Sequence, residues 1–248
     1  MIPKGYYVGV DGCRGGWVSV ALRDGQSAEL TVHQDLAALW EAHREADAIF
    51  IDMPIGLLEH GPDERACERN ARRLIGARRS SVFPVPCRQA VHARSDVEAM
   101  AANREHMGRG LPLQTLAIRA KICQVDDLLR NDARARAVFR EIHPELLFCA
   151  MNGGNPMTYR KKCREGKRER ESLLVKLAGE SVLRDVLVQS RAYRRRDVGW
   201  DDILDALAAA VAASHPDELV RIPENPPLDA CGLPMQMVYW SGTMPMVD

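Results

Sequence analysis

Two stretches of the chain share one pattern, a short apolar run that ends abruptly in a carboxylate. Residues 6–10 lead into Asp11, and residues 48–51 lead into Asp52. A strand that is apolar at nearly every position is buried on both faces, which is typical of the centre of a covered sheet. Ligands bind at the carboxyl ends of strands in open α/β sheets, so both aspartates are candidates for a functional site.

The pattern between these two runs predicts a β-β-β-α-β order. Residues 17–22 and 28–33 are strand-like, and the Asp-Gly dipeptide at 24–25 favours a hairpin between them. A segment with apolar side chains at helical spacing then follows Asp35, a residue suited to capping a helix. Because that helix forms a crossover, we expect the fourth strand to lie parallel to the first.

Helical periodicity dominates after the fourth strand, with helices predicted at about 63–75, 95–107 and 113–130. Ser95 and Glu98 have the spacing of a capping box at the start of the second helix. The length suits a sizeable core. We therefore expect a single α/β domain of 1–248, with a mostly helical insertion at about 59–135.

Strand character returns at residues 137–143, where Glu141 and His143 would share one face because side chains alternate along a strand. These two residues are candidates for the same site, and a structural hydrogen-bonded pair is the alternative. A last short strand is predicted at residues 237–240.

The strongest helical pattern begins near residue 200 and continues into an alanine-rich stretch that can pack close to a sheet. Asp202 and Asp205 lie three residues apart, so they occupy one face of this helix. Asp201 is the candidate N-cap.

The acids together predict metal chemistry. Several carboxylates that meet at one point repel one another unless a cation neutralises them. Hard divalent cations prefer oxygen ligands, and two of them about 3.5–4 Å apart can activate a water and stabilise the leaving oxygen of a phosphodiester. We expect Mg²⁺ or Mn²⁺ as the cofactor. The candidate catalytic residues are Asp11, Asp52, Glu141, Asp202 and Asp205, and the candidate metal ligands among them are Asp11, Asp52, Glu141 and Asp205.

Basic segments supply candidates for phosphate binding. Arg78, Arg79 and Ser80 could hold a phosphate through guanidinium and hydroxyl donors, with His143 as a further substrate-binding candidate. The alternative is a loop fixed by internal salt bridges. Residues 160–170 contain seven basic and two acidic side chains, which suit either a nucleic-acid groove or a solvated helix face.

The composition limits which binding partners and which cellular compartment are expected. The formal net charge is zero, which argues against long-range attraction to a polyanion, although local patches can still provide it. No apolar run approaches the roughly 20 residues of a membrane span, and no signal peptide is expected. The seven cysteines include no Cys-x-x-Cys, so neither a disulfide framework nor a zinc site is indicated. We expect a cytoplasmic protein.

Five segments in combination resemble the motifs of the domain of unknown function 429 family: GVDGCRGGW at 9–17, IDMPIGL at 51–57, RRSSVFP at 78–84, EIHPE at 141–145 and DDILDA at 201–206. The resemblance covers nearly the whole chain. It implies a ribonuclease H-like mixed sheet flanked by helices and a predicted nuclease activity. The pair Asp202 and Asp205 also resembles the acidic helix of Holliday-junction resolvases. Ribonuclease H-like sites often have Glu where this chain has Asp52.

Three functions are consistent with these features. The favoured one is a metal-dependent nuclease that hydrolyses phosphodiester bonds in DNA or RNA. The second is an inactive ribonuclease H-like module that binds nucleic acid or a protein, which the neutral charge and Asp52 favour. The third is a phosphotransferase of the actin and sugar-kinase type, which shares the strand-Asp-Gly beginning. The absence of a second Gly-rich strand-turn in the sequence counts against the third.

Overall fold

A five-stranded mixed sheet forms the centre of the fold in the computed structural model, which describes residues 4–24 and 27–240. The strands are β1 (Tyr6–Cys13), β2 (Gly16–Arg23), β3 (Ser27–His33), β4 (Ala48–Ile51) and β5 (Phe139–Glu141). Their order is β3-β2-β1-β4-β5. β1 runs antiparallel to β2 and parallel to β4, and β4 runs parallel to β5. The predicted meander and parallel fourth strand are confirmed, and part of the 24–25 turn lies outside the described residues.

Helices cover both faces of the sheet, which confirms the α/β class. They are α1 (Leu36–Ala42), α2 (Ala66–Ile75), α3 (Arg88–Val91), α4 (Asp96–Met107), α5 (Leu113–Asn131), α6 (Ala133–Val138), α7 (Pro144–Met151), α8 (Arg164–Ala178), α9 (Glu180–Gln189) and α10 (Trp200–Ala213). Apolar residues of α1, α5 and α6 pack on one face of the sheet. Those of α7 to α10 pack on the other face.

The predicted helices between β4 and β5 are observed as α2, α4 and α5. Ser95 caps α4 by accepting the Glu98 N–H at 3.2 Å, as expected. The Glu98 carboxylate accepts the N–H of Arg94 instead of that of Ser95, so the reciprocal bond of the capping box is displaced by one residue. The short helices α3 and α6 were not predicted, since each spans fewer than two turns and gives little periodicity.

Close contact between β1 and α10 depends on Gly9 and on the small residues of the helix. A Cβ added at Gly9 would lie 2.0 Å from the Ala206 carbonyl oxygen and 2.3 Å from the Ala210 nitrogen. Every residue of α10 from Ile203 to Ala213 is buried. Residues two apart on a strand share a face, so Asp11 lies on the same side of β1 as Gly9. This packing sets the first strand and the last long helix at one site.

A second sheet completes the described fold. Its two antiparallel strands are β6 (Leu219–Ile222) and β7 (Met237–Trp240), which confirms the predicted last strand. The Trp240 ring stacks on His215 with 4.1 Å between the ring centroids. Within the described residues, every helix is too short or too polar to traverse a bilayer.

Candidate active site

The carboxyl ends of β1 and β4 place Asp11 and Asp52 at one edge of the sheet. Asp11 lies within β1 and is only 6% exposed. The Asp52 N–H donates to the Val10 carbonyl at 3.0 Å and so extends the ladder between the parallel strands by one residue. The expected placement of both carboxylates follows from this register.

The helix α10 adds Asp205 and Asp202 to the same site. Asp205 is 1% exposed, and its Oδ1 has no hydrogen-bond partner within the described chain. Asp202 accepts the Gly199 N–H at 2.8 Å and so caps the helix. The expectation that Asp201 is the N-cap is wrong, because the helix starts at Trp200 and Gly199 occupies the N-cap position.

A lysine that the sequence did not single out lies among these acids. The Lys161 Nζ donates to Asp205 Oδ2 at 2.8 Å and lies 3.9 Å from Asp201 Oδ2. The Asp205 charge, supported by Asp11 and Asp52, raises the pKa of Lys161 above its usual range. We call Asp11, Asp52, Asp202, Asp205 and Lys161 the acid cluster.

The carboxylates of the acid cluster hold their protons more tightly than isolated aspartates. Desolvation, reinforced by the Asp52 and Asp205 charges, raises the pKa of Asp11 well above its usual range. Desolvation also raises the pKa of Asp52 to about 7, although Lys161 opposes the shift. The pKa of Asp205 is raised for the same reason, with Lys161 again opposing. One lysine therefore does not offset the desolvation of three neighbouring carboxylates, of which Asp11 and Asp205 are buried and Asp52 is partly exposed.

Glu141 has a partner that the sequence did not indicate. Its Oε1 accepts from Arg65 Nη2 at 2.7 Å, and its Oε2 accepts from Arg65 Nη1 at 2.9 Å and from the Ile55 N–H at 2.7 Å. Arg65 also pairs with Glu68, and all three side chains are buried. Desolvation raises the pKa of Glu141 to about 7, with Arg65 opposing the shift. Both Glu141 oxygens are thus engaged, so its role as a metal ligand stays a prediction that requires Arg65 to move.

Arg78 and Arg79, two of the candidates for phosphate binding, lie in different environments. The Arg78 guanidinium donates to the Met157 carbonyl at 2.8 and 3.0 Å and to the Thr158 carbonyl at 2.7 Å. Arg78 therefore braces the loop that leads to Lys161, through carbonyls and not through the salt bridges of the alternative interpretation. Arg79 and Ser80 are exposed.

His143 lies deeper in the same region. Its Nε2 lies 3.3 Å from the Ser81 carbonyl oxygen, which can only accept, so Nε2 carries the proton of the neutral ring. The Nδ1 is buried without a partner in the described chain. Desolvation lowers the pKa of His143 to about 4, so the ring is neutral near pH 7.

A cavity of about 640 Å³ opens above the acid cluster. Asp11, Asp52, Asp202 and Lys161 line one part of it, together with His143. The facing wall is largely apolar and is formed by Val82, Phe83, Pro84, Val85, Ile118 and Ile122. Phe83 is 39% exposed, so part of its side chain is accessible. The cavity thus joins a charged floor to an apolar wall.

Comparison with known proteins gives one assignment. A family model described as "Protein of unknown function (DUF429)" matches residues 9–228. The chain belongs to this family. The matched range begins in β1 and includes every residue of the acid cluster of this DUF429 protein. No curated protein and no solved structure matches the chain.

The acid cluster of the DUF429 protein suits a hard divalent cation by donor type. Carboxylate oxygens are the ligands that Mg²⁺ and Mn²⁺ prefer, and the unpartnered Asp205 Oδ1 is an available donor. The carboxylate oxygens of the acid cluster lie farther apart than the ligand atoms of a closed metal site. In the described residues, two groups bring three potential ligand atoms within 4.8 Å of one another, and neither contains Asp11, Asp52 or Asp205. Those groups are Cys67–Glu68–Glu141 and His92–Cys123–Asp127. A cation at the acid cluster would therefore draw its oxygens inward.

Proposed function

We propose that this DUF429 protein is a metal-dependent nuclease that hydrolyses phosphodiester bonds of nucleic acid with Mg²⁺ or Mn²⁺. The observation that carries the proposal is the acid cluster itself. Two parallel strands and one helix bring Asp11, Asp52 and Asp205 together, with raised pKa values. Asp11 and Asp52 line the cavity, whereas Asp205 is buried and bonded to Lys161, which also lines it. Buried carboxylates that are held together disfavour ionisation, and a bound cation reverses this penalty.

The architecture supports a ribonuclease H-like assignment. The β-β-β-α-β start, the mixed sheet and the flanking helices are the features that this assignment predicts. The contact of Gly9 with α10 gives a physical reason for pairing a first-strand aspartate with acids of the last long helix. The fold assignment is part of the proposal, because many functions share one fold.

The residues take different roles in this proposal. Asp11, Asp52 and Asp205 would hold the metal, and Asp202 stays at the helix start as a second layer of negative charge. A bound ion would supply an activated water and charge stabilisation for the leaving oxygen. The Lys161 ammonium is 36% exposed and lines the cavity, where it can stabilise the negative charge on the phosphate.

The rest of the cavity supports a nucleotide-sized substrate. The exposed part of the Phe83 side chain offers a surface on which a base can stack, an interaction worth about 1–3 kcal/mol. The neutral His143 presents a buried acceptor nitrogen to a polar group of the substrate. Arg160 lines the cavity and provides local positive charge in a neutral chain, and the exposed Arg79 lies next in sequence to Arg78 and Ser80, which also line it.

One observation favours the inactive binding module as a second candidate. Lys161 already provides Asp205 with a cation at 2.8 Å, so the cluster is partly neutralised by the protein itself. A module of this kind would bind nucleic acid through the same cavity without hydrolysing it. Divalent-dependent cleavage separates the two candidates.

The test is an endpoint and rate assay of the purified chain with Mg²⁺, Mn²⁺ or chelator on single-stranded, duplex, branched and hybrid substrates. We expect cleavage only with metal, and a loss of at least about 10³-fold in Asp11→Asn and Asp205→Asn, equivalent to about 4 kcal/mol of transition-state stabilisation. Asp63→Asn, at an exposed aspartate, is the matched control and should cleave like the wild type.

The outcomes are distinct. Equal cleavage by wild type and Asp11→Asn would show that the acid cluster is not the active site, or that a contaminant cleaves. Substrate binding without cleavage under any metal condition would favour the binding module. Metal-dependent turnover of ATP without nucleic-acid cleavage would support the phosphotransferase.

A further inference from the structure

A second group of chemically reactive side chains lies outside the cavity, where α3 meets α5. His92 is the C-cap residue of α3. Cys123 and Asp127 lie on α5 four residues apart, so they share one face of that helix. None of the three lines the cavity. The three side chains offer one nitrogen, one sulfur and one carboxylate oxygen, all within 4.8 Å of one another.

The separations of these atoms are close to those of ligands around a tetrahedral metal ion. His92 Nδ1 lies 3.5 Å from Cys123 Sγ, and Cys123 Sγ lies 3.6 Å from Asp127 Oδ2. The Asp127 Oδ1 lies 4.0 Å from His92 Nδ1. Zinc bonds of about 2.3 Å to sulfur and about 2.0–2.1 Å to nitrogen and oxygen separate tetrahedral ligands by about 3.3–3.6 Å. These contacts use both Asp127 oxygens, so a single carboxylate oxygen has to move toward both other ligands, and the exposed Asp127 side chain can rotate to do so.

An independent contact fixes the orientation and the tautomer of the His92 ring. The other ring nitrogen, Nε2, lies 2.7 Å from Asp126 Oδ2. The Asp126 side chain is 2% exposed and also accepts from the Arg88 and Arg130 guanidinium groups, so its oxygens act as acceptors and Nε2 is the donor. The Nδ1 lone pair is then free to face the sulfur. A buried carboxylate behind an imidazole is the usual outer support of a metal-binding histidine.

We propose that His92 Nδ1, Cys123 Sγ and the Asp127 carboxylate form a binding site for a borderline-soft divalent cation of the Zn²⁺ class. Sulfur and imidazole ligands favour such ions over Mg²⁺, so the site differs in metal preference from the acid cluster. Binding deprotonates the Cys123 thiol, and its proton passes to solvent. The three protein ligands leave the fourth position of a tetrahedral ion open to water. The bound ion joins α3 to α5 across 31 residues of sequence.

The test is equilibrium dialysis of the full chain against Zn²⁺, under reducing conditions and with saturating Mg²⁺ to occupy oxygen-rich sites. We expect one Zn²⁺ per chain, and at least about a tenfold loss of affinity in Cys123→Ser, His92→Gln and Asp127→Asn. Asp126→Asn leaves the three ligands in place but removes the outer support, so it should lose about 10–100-fold. Cys231→Ser and His60→Gln, at a partly exposed cysteine and an exposed histidine, are matched controls that should bind as the wild type does.

A second readout reports on the sulfur directly. Co²⁺ in place of Zn²⁺ should give a thiolate-to-metal charge-transfer band in the wild type and in Cys231→Ser, and none in Cys123→Ser. Binding of Zn²⁺ that is unchanged in both Cys123→Ser and His92→Gln, or no stoichiometric binding at all, overturns the site. These results do not depend on nuclease activity, because neither the substrate nor the acid cluster enters the measurement.

Discussion

Two regions of this protein each gather several carboxylates around one cation, and they differ in how the carboxylates are satisfied. In the acid cluster, Lys161 contacts Asp205, whose second oxygen has no partner in the described chain. In the other region, Arg88 pairs with Glu59, Asp126 and Asp229; we call these four residues the Arg88 cluster. The same types of charge thus give two different environments.

Asp229 and Asp52 illustrate the difference. Asp229 accepts the backbone N–H groups of Leu57, Cys231 and Leu233 at 2.8–2.9 Å. Burial would raise the pKa of Asp229, but these donors together with Arg88 hold it below its usual value. Desolvation raises the pKa of Asp52 to about 7. Asp229 is thus surrounded by hydrogen-bond donors, whereas Asp52 is desolvated and has fewer of them. The number of donors around each carboxylate therefore separates the two regions better than the number of acidic residues does.

The largest expected effect on stability comes from breaking the Arg88 cluster. Asp229→Ala removes the acceptor of three backbone donors and leaves the Arg88 charge without one of its partners. Removing one partner of a buried pair costs about 3–5 kcal/mol, so we expect a loss of that order in the free energy of unfolding, measured by urea denaturation. The folded fraction should keep the cleavage rate that the proposed function predicts for wild type. A loss below about 1 kcal/mol would show that the two regions do not differ as described.

The acid cluster should respond to pH in the opposite sense from a stabilising carboxylate. In the folded state Asp52 keeps its proton up to about pH 7, whereas in the unfolded chain it releases the proton near pH 4. The native state thus binds more protons at Asp52 between these values, so the contribution of Asp52 to stability in chelator falls as the pH rises from about 4 to about 7. Asp52→Asn cannot ionise, so we expect it to gain on the order of 4 kcal/mol over wild type across that interval, since one pKa unit corresponds to about 1.4 kcal/mol.

The measurement is the difference between the two unfolding free energies at several pH values, which cancels the other titrating groups. Adding Mg²⁺ or Mn²⁺ at pH 8 should reverse the order, because a cation that binds only the folded state stabilises the wild type more than the variant. A pH-independent difference in chelator, with equal gains from metal, would place Asp52 outside a shared cation site.

The sequence revealed the parts of the site that local patterns determine. Apolar runs that end at Asp11 and Asp52 predicted the sheet edge, and the alanine-rich helix predicted the approach of Asp205. Long-range partners left no such pattern. Arg65 lies 76 residues from Glu141, so their pairing could not be read from either segment. Lys161 belongs to a basic run, and its inward direction depends on the fold around it.

The loop near Lys161 shows what the sequence could not supply. Glu169 accepts the N–H groups of Thr158 and Tyr159, and Arg78 binds the Met157 and Thr158 carbonyls. These contacts fix a segment that has no periodicity of its own. The proposed Zn²⁺-class site has no paired-cysteine motif in the sequence. It consists of one cysteine and one aspartate four residues apart on a helix, and of a histidine 31 residues away from the cysteine.

The smallest expected effect concerns two arginines, and it tests whether side chains with many hydrogen-bond partners stabilise the fold while those with few bind the substrate. Arg78 and Arg79 are adjacent, yet Arg78 is engaged with two carbonyls while Arg79 is exposed. Only a guanidinium that is free to reach the substrate can neutralise a phosphate and release its counterions.

We therefore expect Arg79→Ala to weaken nucleic-acid binding similarly for all sequences and to reduce the slope of log affinity against log salt by about one. Arg78→Ala should leave that slope unchanged and instead lower stability by about 1 kcal/mol, the scale of its lost hydrogen bonds. Binding titrations at several salt concentrations, paired with urea unfolding of both variants, measure the two effects. The opposite result, with Arg78 setting the slope and Arg79 setting stability, would mean that the loop rearranges when substrate binds, and that satisfied side chains in this region are not reliably structural.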